Sequence, residues 1–264
     1  MNWFGLFLLT SCGGSSPSAL DDSATGTVVD SAADTGEVED VLGSIQGRMI
    51  GVDGLGVGAL QMRLCNDSCY MAETDPEGGF SFGYLSEGDY TLQAVDFVNP
   101  DRSTPHAIVS VTVGERVLQD WFIPDFASST ALDQPQTVVL DGGLSVAADS
   151  AGLSSGTYSV SDVAVVTSVM VDPISSGIPL DGLVGEIAAL WYLGTYDLQI
   201  SPSWDFGGSV SLPPGTYGVW TADNATKSWI RGGSVTVDAK GAVTPSVGGL
   251  ERLTTLVMIE EVAK

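Results

Sequence analysis

From about Leu42 onward the chain repeats one pattern: short stretches in which apolar and polar residues alternate, each closed by Gly, Pro, Asp or Ser. Ile45–Ile50 and Ala59–Leu64 are the first of these, followed by AETDPEGGFSFGYL and SEGDYTLQAVD. A period of two places alternate side chains on opposite faces of a strand, so one face can enter a core while the other meets water. No segment sustains a 3.6-residue period, which excludes parallel units joined by helices and leaves an all-β chain of antiparallel sheets. Charged residues are only 16% of the chain while glycine is abundant, as short strands and tight turns require.

Within Asp75-Pro76-Glu77-Gly78-Gly79, Pro fixes one turn dihedral and Gly supplies another that other residues resist. Phe80 and Phe82 share a strand face and are expected in the core. Tyr90, two residues after Gly88, should turn its ring inward at a strand start, in the manner of a tyrosine corner. Gly58–Leu64, Thr74–Phe82 and Gly88–Leu92 together resemble the carboxypeptidase regulatory-like domain, over about Gly43 to Pro124. That resemblance implies an immunoglobulin-like or prealbumin-like sandwich of seven strands over 42–124. It implies no catalysis, because in that family the module accompanies other domains.

A second antiparallel β-sandwich of eight or nine strands is expected over 132–264. Its segments are Thr137–Leu140, Val160–Val171, Gly185–Leu193, Thr195–Ile200, Gly208–Leu212, Gly215–Thr221, Lys227–Ile230, Ser234–Val237 and Thr254–Glu260. FSFGYLSEGDYTLQAVD and GSVSLPPGTYGVWTAD echo one another, each with a strand, a turn, Gly-x-Tyr and a further strand. Each is followed by a Val-Thr-Val strand, at Val111–Val113 and Val235–Val237.

Cys65 and Cys69 flank a three-residue loop at a hairpin tip, where opposed Cα atoms lie about 4.5 Å apart, within disulfide reach. A redox pair usually has two intervening residues, and a zinc site needs more Cys or His than the single His106, read as a loop residue. A structural disulfide worth about 2 kcal/mol is therefore expected.

The amino terminus has a different character. The apolar run Trp3–Leu9 leads directly into Thr10-Ser11-Cys12-Gly13, which resembles the lipobox of bacterial lipoproteins. The resemblance implies a signal peptide over 1–11, lipidation of Cys12 and, with Gly13 next, delivery to the outer membrane or cell surface. The competing reading is a buried apolar strand with a chance Cys. No Lys or Arg precedes the run, which points to a start codon placed too far downstream. Residues 12–41 read as a disordered tether: between Gly13 and Asp40 there are seven acids, no base and no aromatic residue.

Nine Lys and Arg against 33 Asp and Glu give a net charge of −24, which argues against nucleic acid as a partner; such a charge keeps an exported protein soluble and monomeric, and it could attract cations or basic partners. No catalytic constellation is visible, since the only His lacks a nucleophile-elbow context. Asp53, Asp75, Glu77, Asp172 and Asp181 could ligate Ca²⁺, but none has calcium-loop spacing and Asp also favours turns, so no metal or cofactor is expected. Trp191 and Trp220 lie in apolar strands and should be core, whereas Trp204 and Trp229 are candidates for an exposed binding platform. The expectation is a non-enzymatic envelope lipoprotein, attached to the membrane by lipid and presenting β-sandwich modules to a protein or carbohydrate ligand or serving as structure. The alternative is a glycan- or peptide-directed hydrolase with paired carboxylates in the C-terminal β region.

Overall fold

The computed structural model describes residues 42–155, 165–194 and 198–261. Cys12, the signal peptide, the tether and the starts of the expected strands Val160–Val171 and Thr195–Ile200 lie outside the described residues. Seven strands come first: β1 Gly43–Ile50, β2 Gln61–Cys65, β3 Cys69–Glu73, β4 Gly79–Leu85, β5 Gly88–Val95, β6 His106–Val111 and β7 Gly114–Phe122. They form two sheets, ordered β4-β1-β7 and β3-β2-β5-β6. Only β1 and β7 run parallel; β4 lies antiparallel on the other side of β1. Ile45, Met49, Phe80 and Phe82 face Leu64, Leu92 and Val109 across the core, as the period of two requires.

Thirteen further strands follow among the described residues, more than the eight or nine read from sequence. They are β8 Ser128–Ala131, β9 Gln136–Val139, β10 Leu144–Ala148, β11 Leu153–Ser155, β12 Val165–Val171, β13 Ile187–Leu193, β14 Leu198–Trp204 and β15 Phe206–Gly208, then β16 Gly215–Asp223, β17 Ser228–Val237, β18 Val243–Gly248, β19 Leu250–Leu253 and β20 Thr255–Glu260. Of the missed ones, β8, β11, β15 and β19 have three or four residues, too few to show alternation, while β10 has five and β18 six. Gly208–Leu212 is not a strand: Gly208 adopts φ 85°, and only an isolated bridge joins Ser209 to Ala242. Two expected strands, Lys227–Ile230 and Ser234–Val237, fuse into β17, because Arg231-Gly232-Gly233 is a bulge opposite Val219–Trp220 and not a turn.

A seven-stranded sheet, β18-β17-β16-β20-β13-β12-β8, is the hub of this region. Its two faces enter different cores. Leu190, Tyr192, Val257 and Ile259 join the core of the first sandwich. Ala189, Trp191, Leu193, Leu256 and Met258 alternate with them and join a second core, with the three-stranded sheets β15-β10-β9 and β11-β14-β19. Both faces are covered, so β13 and β20 read as nearly continuous apolar runs.

The sequence echo is geometric. Tyr90 Oη donates to the carbonyl of Ser86 at 3.0 Å, and Tyr217 Oη donates to that of Pro213 at 2.7 Å. Each ring sits two residues after a Gly and closes on the residue four before it, so both are tyrosine corners. His106, expected on a loop, is the buried first residue of β6. It lies there because its backbone N–H donates to Thr255 Oγ1 of β20 at 2.8 Å, where the second region covers the first sandwich.

Candidate functional site

Each sandwich has two lateral openings, where the edge strands of its two sheets face one another. In the first sandwich these edges are β6 with β7 on one side and β3 with β4 on the other. The two sides have opposite fates.

The β6/β7 side is sealed from within the chain by the segment between β12 and β13. Leu180 bridges to Ile108 of β6, and Ser176 accepts from the Phe122 backbone N–H at 2.8 Å. Asp181 receives both arms of the Arg116 guanidinium and also the backbone N–H of Ser110 at 2.8 Å. Trp121 Nε1 donates to Tyr192 Oη at 3.2 Å, and Tyr192 Oη donates to the Phe122 carbonyl at 3.3 Å.

No described segment seals the β3/β4 side. A groove of about 580 Å³ reaches from it across the β4-β1-β7 sheet, lined by Ala72, Glu73 and Asp75 at the β3 end, Phe80 and Ser81 of β4, Gln46 and Arg48 of β1, and Val117, Leu118 and Asp120 of β7. Arg48 donates to Asp120 Oδ2 at 3.1 Å and to the Glu77 carbonyl at 2.8 Å. Asp75 is committed to its turn, accepting from the backbone N–H groups of Glu77 and Gly79. The groove thus holds three carboxylates against one guanidinium, which already has a carboxylate partner.

The Cys65–Cys69 disulfide stands at the tip of the β2–β3 hairpin, with Cα atoms 4.1 Å apart. Substituting both cysteines with Ser is expected to lower stability by about 2 kcal/mol and to fray β3 first, since the closed loop is short and the staple local. Urea midpoints with an unchanged m-value would check the first, and amide exchange across Tyr70–Ala72 the second. A loss confined to global stability, with β3 protection intact, would contradict this account.

The aromatic platforms are corrected. Trp204 is 3% exposed and Trp229 7%, so neither presents a ring to a ligand. Trp204 ends β14 opposite Leu250 of β19, inside the second core. Trp229 enters the core shared with the first sandwich, with Gly182 of the sealing segment close over its indole. Trp191 is fully buried as expected, and Trp220 is half-buried.

The acids considered as calcium ligands serve the fold. Asp53 Oδ1 accepts from the Leu55 N–H, and Asp172 accepts from the Ser175 hydroxyl and the Ile174 N–H, which hold its carboxyl below the usual range. Among the described residues no group of three or more His, Cys, Asp or Glu is placed to hold a metal ion. No described helix is long and apolar enough to cross a membrane. The groove was missed in sequence because β3 offers no distinctive residue; its only signal is five consecutive positions lacking Gly, Pro and Lys.

No family model matches the chain, and no curated protein sequence does. Among solved structures it is similar to the Streptococcal ancillary pilin, at 11% identity and TM-score 0.28, with 81% of this chain and 51% of that one covered. It therefore spans about half the length of that protein. A DUF3823 family protein from Bacteroides ovatus is similar at 11% identity and TM-score 0.26, covering 83% and 81% of the two chains. The major pilin SpaD from Corynebacterium diphtheriae is similar at 10% identity and TM-score 0.28, covering 84% and 87%. Likenesses of this size assign no function.

Proposed function

We propose that this chain is a non-enzymatic envelope lipoprotein that holds a binding face clear of the bilayer. Residues 1–11 are the signal peptide, Cys12 carries the lipid, 12–41 are the acidic linker, and the β regions 42–124 and 132–264 are the displayed body. The observation that carries the binding role is the asymmetry of the first sandwich. Its β6/β7 opening is closed by Leu180, Asp181 and Tyr192, while the β3/β4 opening keeps a groove with polar walls and an apolar floor. A groove of that make-up suits a ligand gripped by a few placed polar groups. The resemblance to carboxypeptidase regulatory-like modules supports the sandwich and adds no activity.

The anchor is tested by mass spectrometry of the membrane fraction. Mature protein should begin at Cys12 with acyl chains attached, and Cys12→Ala should shift the protein to the soluble fraction. A WFGLFLL peptide retained on mature protein would overturn the lipoprotein reading. Two or three acyl chains give stable attachment where one chain is marginal, so the expected shift is nearly complete.

A further inference from the structure

The β3/β4 side of the first sandwich has a more specific property than a groove: among the described residues no strand pairs with the outer edge of β3 at Met71 and Glu73. Edge strands expose unpaired N–H and C=O groups, and chains blunt them with Pro, bulges, Lys or brevity. Other described edges carry such devices, and β9, β11, β15 and β19 have only three or four residues each. β18 contains Pro245 and a register shift. β4 is interrupted at Gly83–Tyr84, where Tyr84 takes φ 58° and the pairing with β1 slips. β8 has four residues, and β6 and β7 are covered by the segment between β12 and β13. β3, Cys69-Tyr70-Met71-Ala72-Glu73, is regular, pairs with β2 without a register shift, and has no Pro, Gly or Lys.

The direction of its free groups follows from parity. In an antiparallel pair, hydrogen-bonded and non-hydrogen-bonded positions alternate, and the latter bring Cα atoms closest. Cys65 and Cys69, with Cα atoms 4.1 Å apart, are a non-hydrogen-bonded position, whereas the Thr74 N–H donates to the Leu60 carbonyl at 2.9 Å. Tyr70 and Ala72 therefore bond to β2, and Met71 and Glu73 turn their main-chain groups to the open side.

We propose that β3 accepts, by strand addition, an extended segment of a cationic partner protein in which small apolar and basic residues alternate. This rests on reading the β3/β4 side as a binding face and is independent of the lipid anchor. The alternation follows from the two faces of β3. Residues of the added strand that point inward lie beside Ala72 of β3 and Phe80 of β4, where small apolar side chains fit. Those pointing outward lie beside Met71, 52% exposed, and Glu73. Charge selects among occupants. Edge-to-edge pairing with a second copy would bring together two chains of net charge −24, while a basic segment meets an acidic groove. Main-chain bonds then supply affinity and the alternate pockets supply selectivity.

The test is fluorescence anisotropy of a labelled, end-capped heptapeptide of alternating lysine and valine, titrated with the full chain. Binding is expected, together with slowed exchange of the Met71 and Glu73 amide protons. Met71→Pro removes one outward N–H while leaving the bonds to β2 in place, and it should weaken binding at least about tenfold. Glu73→Lys should do likewise. A peptide N-methylated along one edge keeps its charge and should also lose about tenfold or more. Absence of binding, or binding indifferent to Met71→Pro and to N-methylation, overturns the inference. Should Met71→Pro unfold by circular dichroism, the N-methylated peptide on the unaltered chain decides alone. Failure here with acylated Cys12 leaves the anchored-protein reading standing.

Discussion

Trp121→Ala is expected to destabilise the protein by about 4 kcal/mol, which is the usual scale for deleting a fully buried indole. Trp121 is 0% exposed near the end of β7, and its Nε1 donates to Tyr192 Oη of β13. The change therefore leaves a cavity where the first sandwich meets the seven-stranded sheet and removes a buried hydrogen bond across that junction. A domain's total stability is about 5–15 kcal/mol, so this variant should sit near the threshold of folding. Urea unfolding should show a much lower midpoint, and a loss under about 1 kcal/mol would mean that the junction does not depend on this ring. The partner tyrosine supplies an independent reading. Burial pushes the Tyr192 phenol well above its ordinary range. Below about pH 10 the phenol is neutral in both folded and unfolded chains, and its stabilising contribution is complete. Above that, the unfolded chain ionises while Tyr192 stays protonated, so stability falls by about 1.4 kcal/mol per pH unit from this residue. Tyr192→Phe should flatten that alkaline slope, although Tyr90 and Tyr217, also raised by burial, retain their share.

The same junction separates what was legible in the sequence from what was not. Phe80, Phe82 and Tyr90 announced the first sandwich because each strand obeys a period of two within a few residues of a turn, and local order suffices to read it. Cys65 and Cys69 were legible for the same reason, since a tight hairpin fixes their separation. Trp204 and Trp229 were not. Each sits among polar neighbours, and each is buried by a distant segment: Leu250 of β19 for one, the turn around Gly182 for the other. Local polarity carries no record of what a later strand will cover. Thr91, Gln93 and His106 show the converse, being polar residues buried because the second region lies against β5 and β6. Part of a signal was present in Ala107-Ile108-Val109, apolar at consecutive positions where a sheet with one wet face would alternate, whereas Thr91–Val95 alternates and gave none. The open β3 edge carried a weak signal of the same negative kind, as the absence of protective residues.

Asp223→Ala should cost about 3–5 kcal/mol, the range for removing one partner of a buried ion pair. Asp223 is 1% exposed at the end of β16, and its Oδ1 lies 2.9 Å from Arg252 Nη2 on β19. The same carboxylate accepts from the backbone N–H groups of Ala225 and Thr226 and from the Thr226 hydroxyl, so it also shapes the turn into β17. These two duties can be separated. Asp223→Asn retains an oxygen that can accept from the turn amides but loses the charge facing Arg252, so it should fall between the native chain and Asp223→Ala. If the charge dominates, Asn should sit close to Ala; if the turn bonds dominate, Asn should sit close to the native chain. A double-mutant cycle with Arg252→Met measures the pair term itself. Buried ion pairs are commonly replaceable by apolar groups, so Asp223→Leu with Arg252→Met should recover much of the loss from Asp223→Ala if the pair matters through charge alone. Failure to recover, together with a near-native Asp223→Asn, would assign the stability of this corner to the turn and reduce the ion pair to its consequence.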